Sequence, residues 1–164
     1  MRSTAIAIDV NGQEQEALVR PATTLLALLR DQLGLTAAKR GCEQGGCGAC
    51  CVLLDGKPVM SCLVPAMAVD GRSVRTLEGL AHGEELHPVQ EAFLEEWATQ
   101  CGFCTSGMIM TALALLEERP DPSRDEVVRA LSGNVCRCTG YEAIIDAVMA
   151  AAGRMQAPMR QAAE

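Results

Sequence analysis

The sequence QCGFC at residues 100–104 and the sequence NVCRCTG at residues 134–140 decide the organisation of the second half of the chain. The first contains a C-x2-C pair of cysteines, the second contains a C-x-C pair, and an apolar helical pattern lies between them. Four thiolates that meet at one point normally hold a metal centre. We interpret this second set as the ligands of a [2Fe-2S] cluster, and its members are Cys101, Cys104, Cys136 and Cys138.

Both pairs of this set lie next to a predicted helix start. The C-x2-C cysteines come at the beginning of an apolar helix predicted over residues 106–118. The C-x-C cysteines are followed by Thr139 and Glu142, whose T-x-x-E spacing is that of a capping box and predicts another helix start. The positive ends of two helix dipoles would then face an anionic cluster.

A first set of cysteines lies in the sequence GCEQGGCGAC at residues 41–50. Its C-x4-C-x2-C spacing, completed by a later cysteine, is that of plant-type [2Fe-2S] ferredoxins. The loop must wrap its cluster closely, so we expect its glycines to take positive φ angles. These glycines are Gly41, Gly45, Gly46 and Gly48. The predicted ligands are Cys42, Cys47, Cys50 and Cys62.

The composition and the net charge indicate what kind of core, partners and location the protein has. The chain has 164 residues, 49% hydrophobic content and only 2% aromatic residues, so its core must be built from aliphatic side chains. A net charge of −7 without a basic run argues against a nucleic-acid partner. No apolar stretch approaches the ~18 residues of a membrane span, and the first residues do not look like an export signal. We therefore expect no membrane insertion and a cytoplasmic location.

The cysteine count argues against a disulfide scaffold. Nine cysteines are an odd number, and a disulfide-rich chain is usually a shorter, secreted one. Eight of the nine cysteines belong to the two predicted ligand sets, and Cys51 belongs to neither. A strand would point Cys51 away from its neighbour Cys50, so we predict a buried thiol that is no cluster ligand.

The first half of the chain is predicted to be a small sheet with one helix. Strands over residues 4–10 and 14–19 flank the turn Asn11-Gly12, and strands over residues 51–54 and 57–64 flank Asp55-Gly56. A leucine-rich helix is capped at Thr23 or Thr24 and stopped by Gly34, and a last short strand covers residues 73–77.

The second half is predicted to be a four-helix bundle. One helix starts at Pro88 with Val89, Phe93, Leu94 and Trp97 on its buried face. The helix over 106–118 ends before Pro120, a third opens at a capping box on Ser123 and ends at Leu131, and a fourth covers 141–152. The fold class is thus α+β. We predict domains over residues 1–76 and 77–155 and a tail over residues 156–164. We also expect the end of the chain to be frayed from Gly153 onward.

Taken in order, three motifs resemble those of the iron–sulfur subunit of the molybdenum hydroxylases, the xanthine oxidase family. They are GCEQGGCGAC at 41–50, QCGFCT at 100–105 and GNVCRCTGY at 133–141, and the resemblance covers about residues 4–152. It implies a plant-type ferredoxin domain of the β-grasp fold followed by an all-α [2Fe-2S] domain. The departures are small: Ser106 replaces a common Pro, and Cys51 replaces a common Thr.

The resemblance also implies a role. The chain would be the electron-transfer subunit of an oxidoreductase, without catalytic residues of its own. It would relay electrons between a molybdopterin large subunit and an FAD-binding medium subunit or another acceptor. The complex would be a hetero-oligomer, for instance a dimer of heterotrimers. The helical-domain cluster would lie next to the molybdenum cofactor, and the ferredoxin-domain cluster next to the flavin. Gln100 and Cys138 would approach the pterin.

Two alternatives remain at this stage. A free-standing [2Fe-2S] electron carrier would need only the first half of the chain. A structural zinc protein with two four-cysteine sites would have the same number of ligands, but zinc gives no reason for the long glycine-rich loop.

Overall fold

The turns predicted at Asn11-Gly12 and Asp55-Gly56 both form in the computed structural model, which describes residues 2–161. All four turn residues have positive φ angles, between 49° and 80°, as the two-residue turns of β-hairpins require. The hairpin strands are β1 (Thr4–Val10), β2 (Gln13–Val19), β3 (Cys51–Leu54) and β4 (Lys57–Met60).

These strands and β5 (Ser73–Arg75) form one mixed sheet in the order β2-β1-β5-β3-β4. Strand β5 pairs in parallel with β1 and antiparallel with β3, so it joins the two hairpins. Helix α1 (Leu25–Ala27) packs on this sheet and continues as one π-helical turn, Leu28–Gln32. Its predicted leucine face is confirmed, because the leucines at 25, 26, 28 and 29 are fully buried.

Strand β4 is shorter than predicted. We expected it to reach Val64, but it ends at Met60. The carbonyl groups of Ser61 and Val64 accept hydrogen bonds from the first two amides of α1, at 3.0 and 2.7 Å. The turn after β4 is therefore tied to the helix start, and this turn carries Cys62. Strand β5 also stops early, and single 3-10 turns cover Ala66–Val69 and Leu77–Gly79.

The four predicted helices of the second half are present in the described part of the chain. They are α2 (Pro88–Glu95), α3 (Thr105–Glu118), α4 (Arg124–Leu131) and α5 (Glu142–Gln161). Helix α5 packs against α2 and α4, and α3 packs against the same two, which confirms the bundle. The capping box of α4 is confirmed, since the Ser123 side chain and the Glu126 side chain each accept from the other residue's backbone amide. None of the described helices is long and apolar enough to cross a membrane.

Helix α5 differs from its prediction at both ends. It begins at Glu142 after Tyr141, which has a φ of 73°, so Thr139 does not open a capping box. The Thr139 hydroxyl accepts from the Tyr141 amide instead, and Glu142 pairs with Arg124. The helix continues past Gly153 to residue 161, so fraying after Gly153 is wrong. Residues 162–164 of the predicted tail lie outside the described residues.

Two residues of the predicted α2 face are not buried. Leu94 is 61% exposed and Trp97 is 83% exposed. The helix ends at Glu95, and Trp97 has a φ of 54° that turns it out of the helical path. Only the Val89 and Phe93 part of the predicted face packs into the core.

Strand β3 is buried on both faces. Val52 and Leu54 pack into the core between the sheet and α1, whereas Cys51 and Leu53 pack into the core of the helical half. The prediction that Cys51 is a buried strand thiol is confirmed. Burial, more than any neighbouring group, raises the pKa of this thiol to about 11. Strand β3 therefore contributes side chains to the hydrophobic cores of both halves of the chain.

Helix α3 crosses close to the first cysteine loop at Gly107. A Cβ atom added to this glycine would collide with the backbone of Gly48 and Ala49. The close approach of α3 to the loop thus depends on the missing side chain at Gly107.

We predict opposite effects for alanine at two helical glycines. Gly107→Ala should destabilise the protein by roughly 1–3 kcal/mol, because the methyl group forces α3 away from the loop. Gly153→Ala in α5 should stabilise it by about 0.5–1 kcal/mol, because nothing lies within 4 Å of the added Cβ and alanine favours helix. Denaturant unfolding of both variants measures the difference. A neutral Gly107→Ala would contradict the close approach.

Candidate metal centres

Only two of the four glycines in the first cysteine loop have the predicted positive φ angles. Gly45 and Gly48 have φ angles of 77° and 70°, as expected, but Gly41 and Gly46 do not have positive φ. Glu43 takes a positive φ of 53° instead. Gly41 serves a different purpose, since a Cβ atom there would lie 2.9 Å from the Cys47 sulfur. The absence of a side chain at Gly41 therefore leaves room for that ligand.

The thiols of both predicted ligand sets face each other in pairs. In the first set Cys42 contacts Cys47 and Cys50 contacts Cys62. In the second set the Cys101 and Cys138 sulfurs are 3.6 Å apart, and Cys104 contacts Cys136. Two thiolates on one tetrahedral metal with bonds of about 2.3 Å would lie about 3.8 Å apart. The Cys101 and Cys138 sulfurs therefore have the spacing of two ligands on one metal atom.

Paired thiols fit a binuclear cluster. In a [2Fe-2S] cluster each iron takes two protein ligands, and the rest of its coordination comes from sulfide. A structural zinc ion would need four thiolates around one point. The donor set and its pairing are therefore those expected for iron–sulfur ligands.

The second site is held by a short network that starts at Tyr141, the only tyrosine in the chain. Its hydroxyl accepts a hydrogen bond from the Cys136 amide at 2.9 Å and donates to the Asn134 carbonyl at 3.3 Å. The Thr139 hydroxyl donates to the Cys136 sulfur at 3.1 Å. No sequence pattern predicted this role of Tyr141, although its position directly after a cysteine motif was a usable signal.

Hydrogen bonds from backbone amides lower the pKa of some ligand thiols, whereas burial raises the pKa of others. The amide of Gln44, and next the Cys47 thiol, lower the pKa of Cys42 to about 7. The amide of Phe103 is the main cause of the lowered pKa of Cys101. Burial raises the pKa of Cys62 to about 11 and that of Cys104 to about 12. The thiols of Cys62 and Cys104 would thus lose their protons only when a metal binds, which couples cluster insertion to deprotonation.

The second site has a buried side and an exposed side. Cys104 and Cys136 are buried, whereas Cys101 and Cys138 are exposed. Gln100 is exposed next to Cys101. Only the first of the two expected helix starts adjoins a ligand, since α3 begins directly after Cys104. The structure therefore brings all eight predicted ligands into two sites and leaves Gln100 at the rim of the second.

Comparison with known proteins agrees with both sites. Residues 8–79 match the model of the 2Fe-2S iron-sulfur cluster binding domain family, and residues 76–149 match that of the [2Fe-2S] binding domain family. The chain is 51% identical to the nicotine 6-hydroxylase small subunit of Paenarthrobacter nicotinovorans, over 92% of this chain and 90% of that protein. It is 46% identical to the nicotinate dehydrogenase small FeS subunit of Eubacterium barkeri, over 94% and 98%.

Solved structures agree as well. The crystal structure of quinoline 2-oxidoreductase from Pseudomonas putida 86 superposes with a TM-score of 0.92 at 47% identity, over 95% of this chain and 98% of that chain. The aldehyde oxidoreductase of Desulfovibrio gigas superposes with a TM-score of 0.91 at 46% identity, over 94% of this chain but 17% of that longer one. The α+β fold class is confirmed, and the zinc alternative is not supported. The chain therefore belongs to the family of iron–sulfur small subunits of the molybdenum hydroxylases, with two [2Fe-2S]-binding domains.

Proposed function

We propose that this chain relays electrons between the FAD-binding subunit of an oxidoreductase complex and its molybdopterin large subunit. Each [2Fe-2S] cluster, when bound, supplies reversible storage of one electron. The first cluster would be held by Cys42, Cys47, Cys50 and Cys62, and the second by Cys101, Cys104, Cys136 and Cys138. The chain itself would bind no substrate, and the domains would follow the predicted ranges 1–76 and 77–155.

One hydrogen bond carries this proposal. The amide of Val135, which precedes the ligand Cys136, donates to the carbonyl of the ligand Cys47 at 2.9 Å. The backbones of the two ligand sets are therefore in direct contact, although they lie far apart in sequence. A free-standing carrier needs no second site, whereas a relay needs two sites in contact. The contact supports the relay.

The exposed side of the second site supports docking of the large subunit there. Two large apolar side chains close to Cys101 in the sequence are exposed, Phe103 by 48% and Trp97 by 83%. Exposed apolar groups around a functional site are typical of a protein interface. We infer that Gln100 and Cys138 contact the pterin from this side. In the Desulfovibrio relative, the matching segment is joined to the rest of a longer chain.

The opposite end would face the flavin subunit. Cys42 and Cys47 are partly exposed, and Leu63 is exposed beside the loop. We infer a hetero-oligomer, with a dimer of heterotrimers as the form to test. We also infer a cytoplasmic location, because eight ligand thiols must stay reduced until the clusters are inserted. Relatives named for nicotine, nicotinate and quinoline make N-heteroaromatic compounds the first substrates to assay.

Metal analysis tests the ligand sets. The purified protein should contain about four iron and about four sulfide per chain, as two four-thiolate clusters require. Cys104→Ser should lower both by about half, because one cluster loses a ligand. Cys51→Ala is the matched control and should keep the full content, since Cys51 belongs to neither set. Stoichiometric zinc without sulfide would contradict the proposal.

Magnetic resonance of the assembled complex tests the order of the relay. With the clusters reduced, the molybdenum(V) signal should be split by the nearer cluster. The splitting should disappear in Cys104→Ser and survive in Cys42→Ser, because the exposed side of the second site faces the large subunit. The reverse pattern would overturn the assigned order.

A further inference from the structure

Asn134 is a buried polar residue that the metal sites do not use as a ligand. It is 3% exposed and lies two residues before Cys136. Its side-chain Nδ2 donates to the Gly48 carbonyl at 3.1 Å, and its Oδ1 accepts from the Thr111 hydroxyl at 3.0 Å. The Gly48 carbonyl can only accept, which fixes the orientation of the amide. One side chain thus ties together the first cysteine loop, helix α3 and the second cysteine loop.

The backbone of Asn134 belongs to the same connection. Its carbonyl accepts from Tyr141, which also holds the Cys136 amide. The next amide along the chain, that of Val135, makes the hydrogen bond to Cys47 that joins the two ligand sets. Hydrogen bonds of one residue therefore fix both the second ligand loop and its contact with the first.

The space around this side chain is closed. Gly48 has a positive φ, and a Cβ atom added there would lie 2.5 Å from the Asn134 Nδ2 atom. A buried amide costs free energy unless its hydrogen bonds are made, and an apolar side chain would fill the space without that cost. Hydrogen bonds differ from apolar contacts in that they fix distance and direction. The amide is therefore suited to setting a separation between loops.

We propose that Asn134 is a positioning residue whose side-chain amide, oriented by the Gly48 carbonyl and held by Thr111, sets the separation of the two cluster-binding loops and hence the rate of electron transfer between them. This inference rests on the proposed two-cluster relay. Thr111 holds the amide through a single hydroxyl proton, which it can share with the Cys51 sulfur at 3.3 Å. Loss of either side chain should let the loops separate while all eight ligand thiols remain.

The test uses the complex as purified. With both clusters reduced by dithionite, pulsed electron paramagnetic resonance measures the dipolar coupling between them. In a second sample with both clusters oxidised, pulse radiolysis adds one electron per chain and measures its rate of transfer from one cluster to the other. The variants are Asn134→Ala, Asn134→Asp and Thr111→Val. The aspartate keeps the size of the side chain, but its carboxylate cannot donate to the Gly48 carbonyl. Thr76→Val is the control, because Thr76 is equally buried but bonds with Asn11 and Glu78.

We expect the Asn134 variants to keep their iron while the coupling becomes weaker and more broadly distributed and the transfer rate falls several-fold. Thr111→Val should show a smaller change in the same direction, and Thr76→Val should show none. A lower melting temperature with unchanged coupling and rate would mean a merely structural role and would overturn the inference. If Asn134→Ala does not assemble, unchanged coupling in Thr111→Val overturns it equally. Absence of any coupling in the unaltered complex would instead overturn the relay itself.

Discussion

The carbonyl of Gly48 lies where the two halves of the chain meet, and much of the structure depends on its contacts. It accepts hydrogen bonds from the Cys51 amide and from the Asn134 side chain. Helix α3 reaches it only because Gly107 has no side chain. A buried carbonyl must be paired, so this group forces strand β3, helix α3 and the second cysteine loop to converge. The two metal sites are brought together by the side-chain hydrogen bond of Asn134 to this carbonyl and by the close packing of α3 against it.

This convergence explains the unusual position of strand β3. A sheet in a small α+β unit commonly has one face covered and one in water, but β3 is covered on both. Its two buried faces belong to two different cores, one aliphatic with α1 and one with the helical bundle. The shared strand makes the separation of the two sites depend on a packed interior of low compressibility.

The cysteine sites also compensate for the small number of aromatic side chains. Of the four aromatic residues, only Phe93 is fully buried, while Trp97 and Phe103 are exposed near the second site and Tyr141 holds its loop. A chain so short of aromatic area gains stability when a bound inorganic centre closes its loops. The raised pKa values of Cys62 and Cys104 fit this view, because these two thiols become anions only in contact with the metal.

The sequence by itself determined the ligand sets, the hairpin turns and the four helices, because these follow from local rules. Cysteine spacing selects the cluster type, positive φ at Asn-Gly and Asp-Gly selects the turn, and Ser123 with its capping box starts α4. Only the tertiary structure decided how the thiols pair, that Trp97 is exposed, and that Tyr141 and not a Thr139 capping box starts α5. It also decided that Asn134 spans the two loops, since its partners lie 86 and 23 residues away in the chain. Contacts over such distances arise when separate elements pack, and no local pattern encodes them.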